Sequence, residues 1–147
     1  EVLIHGFEEW GPELLGRLRG MFGFAIWNTK DRSLFLARDY FGIKPLHYCV
    51  QNGRFLYGSE IKSLLAFPGF EKKFNARALD SYVSFEYVVP PETFFEGVYA
   101  LMPSHYLWYR DVVHCALLRL QNRKRVREGR ALRRGSGRAV RRVQHLP

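Results

Sequence analysis

Apolar residues at Leu3, Phe7 and Trp10 recur at i, i+4 and i+7 and predict a helix opening the chain. Val2 widens its stripe, while Glu8 and Glu9 fall on another side. Gly11-Pro12 ends this helix and starts a short second one, with Pro12 suited to a first helical position and Leu14, Leu15 and Leu18 as its buried side. From Met21 the period changes to two. Phe22, Phe24 and Ile26 fall on one face and Met21, Gly23, Ala25 and Trp27 on the other, so both faces are apolar and a strand covered on both sides is expected. Asn28 to Arg32 reads as a polar turn and Ser33 to Arg38 as the return strand of a hairpin.

A loop, Asp39-Tyr-Phe-Gly-Ile-Lys-Pro45, follows. Leu46 to Gln51 and Arg54 to Ser59 then read as a second hairpin around Asn52-Gly53, a pair that tolerates the positive φ of a type I′ turn. A short helix over Glu60 to Phe67 is expected, capped by Ser59 and broken by Pro68-Gly69. Asn75 is the natural cap of a third helical segment, with Leu79, Tyr82 and Val83 as its buried side. Pro90-Pro91 excludes helix, and short strands are expected at Gly97 to Leu101 and Tyr106 to Tyr109. Helices, two antiparallel hairpins and helices again give an α+β layer architecture.

Charge divides the chain. Residues 1–111 hold 12 Lys and Arg against 13 Asp and Glu, whereas residues 112–147 hold 11 basic residues and the single acid Glu128. The formal charge of +9 therefore describes a tail, and its Arg-rich run over 119–142 has no sustained apolar period. We expect a domain over 1–111 and a tail over 112–147 that is disordered or frame-shifted. Apolar residues at 47% and aromatics at 16% suffice for a packed core in the first part. Two cysteines cannot build a disulfide framework, which favours a reducing, cytoplasmic compartment. No apolar run nears the roughly 20 residues that span a bilayer, so no membrane partner is expected.

The strings Glu1-Val-Leu-Ile-His-Gly-Phe-Glu-Glu-Trp-Gly11 and Leu18-Arg-Gly-Met-Phe-Gly-Phe-Ala-Ile-Trp27 closely resemble glutamine-hydrolysing asparagine synthases. Ala37-Arg-Asp-Tyr-Phe-Gly-Ile-Lys-Pro-Leu46, Leu56-Tyr-Gly-Ser-Glu-Ile-Lys-Ser-Leu-Leu65, Asp80-Ser-Tyr82, Pro91-Glu-Thr-Phe-Phe-Glu-Gly97 and Leu101-Met-Pro-Ser-His-Tyr-Leu107 continue the match in register to about residue 111. The resemblance implies the C-terminal part of a type 2 glutamine amidotransferase domain. Its fold is the N-terminal-nucleophile hydrolase sandwich of antiparallel sheets between helices, here incomplete at its N-terminus. In the family an N-terminal cysteine releases ammonia from glutamine, and a synthetase domain uses ATP and magnesium to activate aspartate. The resemblance puts that cysteine, and the Arg, Asn-Gly and Asp that hold glutamine, ahead of Glu1. Arg134-Gly-Ser-Gly-Arg138 does not replace the pyrophosphate motif of the synthetase domain. The expectation is a family fragment with no catalytic residue and no cofactor of its own, whose partners are the missing synthetase domain and, in the complete enzyme, glutamine.

Candidate residues divide on the same basis. Cys49 lies mid-strand in an apolar alternation and reads as a buried small hydrophobe; Cys115 lies in the tail. His5, His47, His105 and His114 lack metal-ligand spacing, so no metal site is expected. Glu8 and Glu9 read as a solvated helix face and Gly58-Ser59-Glu60 as a helix start. By resemblance, Met21 and Ile43 line the passage that carries ammonia, where an apolar wall would keep it from water and proton donors. The loop carrying Arg38, Asp39, Gly42, Lys44 and Pro45 is read either as pinned by a structural ion pair or as a contact with the synthetase domain. Two alternatives stand beside the asparagine synthase fragment: a basic-tailed adaptor holding nucleic acid through Arg119 to Arg142, which is disfavoured, and a fragment of another type 2 amidotransferase.

Overall fold

The computed structural model describes residues 1–110 and the segments 115–117 and 142–145. It divides into two units. The first carries Glu1–Lys44, His105–Arg110 and Arg142–His145; the second carries Pro45–Met102 and Cys115–Leu117.

The first unit opens with α1 (Val2–Trp10) and a 3-10 helix (Gly11–Arg17). Gly6 sits in the middle of α1 because a Cβ there would come within 2.7 Å of Leu14 Cδ1. Phe7 turns inward onto Phe35, ring centroids 4.6 Å apart, while Val2 is exposed and does not widen the buried stripe. Strand β1 (Gly23–Asn28) pairs with β2 (Ser33–Arg38), Ile26 opposite Phe35, and β2 pairs with β6 (His105–Arg110). Strand β8 (Arg142–His145) extends the sheet, whose order is β1-β2-β6-β8. Leu15, Ile26, Phe35 and Ala37 form the core on the helical face, with Phe7, Leu18, Phe22, Phe24, Tyr106 and Trp108 packed around them. The alternate residues Leu34, Leu36 and Leu107 are equally buried, so the central strands are covered on both faces. Strand β1 is not, since Gly23 is exposed and Ala25 and Trp27 are half-buried.

In the second unit β3 (His47–Gln51) and β4 (Arg54–Gly58) meet at Asn52-Gly53, whose φ values of 52° and 70° are those of the expected turn. Strand β5 (Val98–Ala100) pairs with β3, and β7 (Cys115–Leu117) joins β4 in parallel, so this sheet, ordered β5-β3-β4-β7, is mixed rather than wholly antiparallel. Cys49, Leu56, Leu64 and Val98 make its core with Ile61, Phe67, Phe70 and Phe95 around them. Helix α2 (Ile61–Leu65) starts from Glu60, not Ser59, and no side chain caps its first N–H groups; the Ser63 hydroxyl donates to the Glu60 carbonyl at 2.5 Å.

Asn75 caps α3 (Ala76–Phe85) as expected, its Oδ1 accepting the Arg77 N–H at 3.2 Å. Its amide nitrogen donates to Glu92 Oε2 and the Thr93 carbonyl, tying the helix start to the loop before β5. The buried side of α3 differs from expectation. Ala78 is buried, whereas Leu79, Tyr82 and Val83 are exposed, because the small residue faces the unit and the larger apolar ones face outward. Mixed antiparallel sheets and helices thus make an α+β fold. Among the described residues no helix is long and apolar enough to cross a membrane. The Arg-rich run over 119–142 lies outside the described residues except for Arg142.

Candidate functional site

The loop after β2 is built around two consecutive charged residues that bind opposite kinds of backbone group. The Asp39 carboxylate accepts the N–H groups of Phe41 (3.2 Å) and Ile43 (2.9 Å) on Oδ1 and of Lys44 (3.0 Å) on Oδ2. Arg38 takes carbonyls instead, with Nε donating to Lys44 at 2.9 Å and Nη2 to Gly42 at 2.6 Å. The Asp39 backbone closes the arrangement: its N–H donates to the Phe22 carbonyl at 2.8 Å, and its carbonyl accepts from Gly42 and Ser104 at 3.0 and 2.9 Å. The loop is therefore pinned through its own peptide groups, beyond the simple ion pair that the sequence suggests.

Asp39 is only 1% exposed. Burial by itself would raise its pKa, yet the amides of Lys44, Ile43, Phe22 and Phe41 outweigh burial and hold the carboxyl below its ordinary value. Burial lowers the Arg38 pKa, and attraction to Asp39 works against that shift. Gly42 supplies the bend with φ of 64°, and a Cβ there would come within 2.7 Å of Pro103 Cγ and 3.1 Å of Arg38 Cζ. Only glycine meets both demands.

This clamp holds apolar side chains outward. Phe41 is 86% exposed and Ile43 53%, although the N–H groups of both are fixed on Asp39. Met21 is 59% exposed and immediately precedes Phe22, whose carbonyl receives the Asp39 N–H. Met21 and Ile43 are thus not ordinary core residues, and Asp39 ties together the backbone beside both. Lys44 and Pro45 are exposed as well.

Two members of the site escape sequence reasoning. Phe41 is one, and only the bond from its own N–H to the Asp39 carboxylate shows that its backbone is held while its ring is exposed. The other is Ser104, which holds φ at 60° and buries a hydroxyl that has no hydrogen-bond partner among the described residues. Its place after Pro103, at a turn into β6, is the signal that could have found it.

The remaining candidates lie apart from this loop in the sequence. Cys49 is buried in the core of the second sheet beside Leu56, Leu64 and Val98. His47 Nδ1 lies 3.1 Å from the Ser59 carbonyl and His105 Nδ1 2.7 Å from that of Pro103. His5 is exposed beside Glu8 on α1, 3.6 Å away, and Glu8 and Glu9 are both exposed. Among the described residues no three of His, Cys, Asp and Glu come together as a metal site. His114 and the Cys115 side chain lie outside the described residues.

A family model for the glutamine amidotransferase domain matches residues 1–115. A Mycobacterium tuberculosis protein provisionally named asparagine synthetase (glutamine-hydrolyzing) is 46% identical over 101 residues, which cover 67% of this chain and 16% of that protein. Asparagine synthetase (glutamine-hydrolyzing) 3 of Bacillus subtilis is 36% identical over 110 residues, covering 74% of this chain and 18% of its own length. Amidase chry2 of Gibberella zeae is 40% identical over 107 residues, covering 73% and 15%. The chain thus spans less than a fifth of the length of these curated relatives. With a family match running from Glu1 through both units, the chain belongs to the glutamine amidotransferase domain family.

Proposed function

We propose that residues 1–111 are the C-terminal part of the glutamine-hydrolysing domain of an asparagine synthase, with the sandwich fold of N-terminal-nucleophile hydrolases. On this reading the chain is scaffold and docking surface, and does not hydrolyse glutamine by itself. The observation that carries the reading is the Arg38–Asp39 clamp, which fixes the backbone of a loop while leaving Phe41 and Ile43 exposed. Rigid exposed apolar residues favour association, because little ordering is needed when they are covered. The loop from Arg38 to Pro45 is then the contact with the synthetase domain, and Met21 and Ile43 are wall residues of the ammonia passage once that domain covers them. Such a wall keeps ammonia neutral and nucleophilic by excluding proton donors. ATP and magnesium act in the synthetase domain, and the setting is cytoplasmic.

The burial of Cys49 supports the absence of hydrolysis, since a thiol buried among Leu56, Leu64 and Val98 is closed off from an amide substrate. Glutamate release from glutamine by the purified chain tests this. The expected result is release equal to a buffer blank, identical for Cys49→Ala. Release above the blank that disappears in Cys49→Ala overturns the reading.

A further inference from the structure

We infer that His105 and His145 form a two-imidazole site for a divalent ion of the Ni²⁺, Cu²⁺ and Zn²⁺ class, which fastens β8 to β6. The two residues lie far apart in the sequence, so no ligand spacing reveals them; strand pairing within the first unit brings them together. Strands β6 and β8 run antiparallel with His105 directly opposite His145, at the end of a ladder that continues through Leu107 opposite Val143 to Trp108 opposite Arg142. Residues directly opposite in such a ladder share a face of the sheet, with Cβ atoms about 4.5–5.5 Å apart. Two imidazoles so placed reach a common ion at the usual metal–nitrogen distance of about 2.0–2.1 Å.

The surroundings of His105 prepare it as a ligand. Its Nδ1 lies 2.7 Å from the Pro103 carbonyl. A carbonyl can only accept, so Nδ1 carries the proton, and the lone pair of the neutral ring is on Nε2. A bond of this kind to a backbone carbonyl is the usual companion of a metal-bound histidine, because it fixes the tautomer and the orientation of the ring. The orienting peptide group is itself held, since its N–H, that of Ser104, donates to the carbonyl of buried Asp39 at 2.9 Å. Ligand chemistry selects the ion. Neutral imidazoles suit Ni²⁺, Cu²⁺ and Zn²⁺, whereas Mg²⁺ and Ca²⁺ take oxygen ligands. Two protein ligands leave the remaining positions to water. The inference goes beyond the proposed function, because it needs neither glutamine nor a synthetase domain.

Calorimetric titration of the untagged 147-residue chain with Ni²⁺, and separately with Mg²⁺, tests the inference. Ni²⁺ should bind and Mg²⁺ should not. His105→Ala and His145→Ala should each weaken Ni²⁺ binding at least about tenfold, since the second imidazole acts as an intramolecular ligand once the first is bound. His114→Ala should leave it unchanged. His145 is the last residue of β8, so its replacement alters no residue of β6, and far-ultraviolet circular dichroism should match that of the parent chain. The register is checked without metal: a chain carrying both His105→Cys and His145→Cys should close a disulfide under a mild oxidant, located by peptide mapping. Opposed antiparallel residues have Cα atoms about 4.5–5.5 Å apart, within disulfide reach. Absence of Ni²⁺ binding overturns the inference. So does binding that survives both histidine variants, a loss confined to His114→Ala, equal binding of Mg²⁺, or a double-cysteine chain in which residues 105 and 145 do not cross-link.

Discussion

Lys44 reaches back five residues to Asp39, its backbone N–H donating to the buried carboxylate at 3.0 Å, while its carbonyl is held at 2.9 Å by Arg38. One peptide group on either side of Lys44 is thus fixed by each member of a consecutive acid–base pair. A loop of this length ordinarily leaves its amides to water. Here three of them converge on one carboxylate, and the outward direction of Phe41 and Ile43 follows from where their N–H groups are held.

That convergence makes stability depend on acid. The Asp39 pKa is lowered in the folded chain, so its contribution is fully present above the unfolded carboxyl value of about 3.9 and is lost as pH falls through the lower folded value. Denaturant unfolding between pH 7 and pH 2.5 should show stability falling in that window. Asp39→Asn should cost about 2–4 kcal/mol at pH 7, since hydrogen bonds to a charged acceptor are the stronger kind and an amide NH₂ would oppose backbone donors. It should also flatten the acid limb. A variant with unchanged stability at pH 7 and an unchanged limb would show that the clamp is not holding the loop.

Ser104 is held against its preferences. Its φ of 60° strains a residue with a Cβ, and its hydroxyl is buried without a partner among the described residues. What the fold needs from this position is its N–H, which donates to the Asp39 carbonyl. Ser104→Gly keeps that bond and removes both penalties, against the extra freedom that glycine has in the unfolded chain. We expect a gain of about 1 kcal/mol and a higher melting temperature. A loss of stability would mean that the hydroxyl is satisfied by a group such as water.

Local chemistry carried much of this structure. Asn52-Gly53 set the β3–β4 turn, and Asn75 marked the start of α3, because each choice is made by a residue and its immediate neighbours. The polar turn at Asn28 to Arg32 located β2 to the residue for the same reason. Choices made by the surroundings were less legible. Ser59 looks like a cap from its position before an apolar run, but the helix starts one residue later, from Glu60, with no side-chain cap. Asp39 looks like half of an ion pair, since nothing in a string of residues reveals which amides of a loop will be left for a carboxylate. Helix α3 shows the limit most clearly. Its apolar stripe is real, but periodicity reports that a stripe exists and says nothing about whether it is covered.

The side of α3 that supports the fold can be separated from the side that does not. Ala78 is 1% exposed and Val83 is 76% exposed, on a helix whose apolar content points the other way. Ala78→Leu adds volume where the helix meets the rest of its unit, so it should destabilise by about 1–3 kcal/mol through overpacking. Val83→Lys places a charge where valine already meets solvent, and its effect should stay within about 0.5 kcal/mol. It should also raise solubility, because Leu79, Tyr82 and Val83 lie on one α3 surface, with Phe85 and Tyr87 exposed at the helix end. Tyr82 is the intermediate case: it packs edge-on against Phe94, centroids 5.4 Å apart, so Tyr82→Ala should cost more than Val83→Ala despite its exposure. Thermal unfolding of the four variants measures this order. If Val83→Lys proves as costly as Ala78→Leu, the larger apolar face of α3 is covered in the folded chain after all.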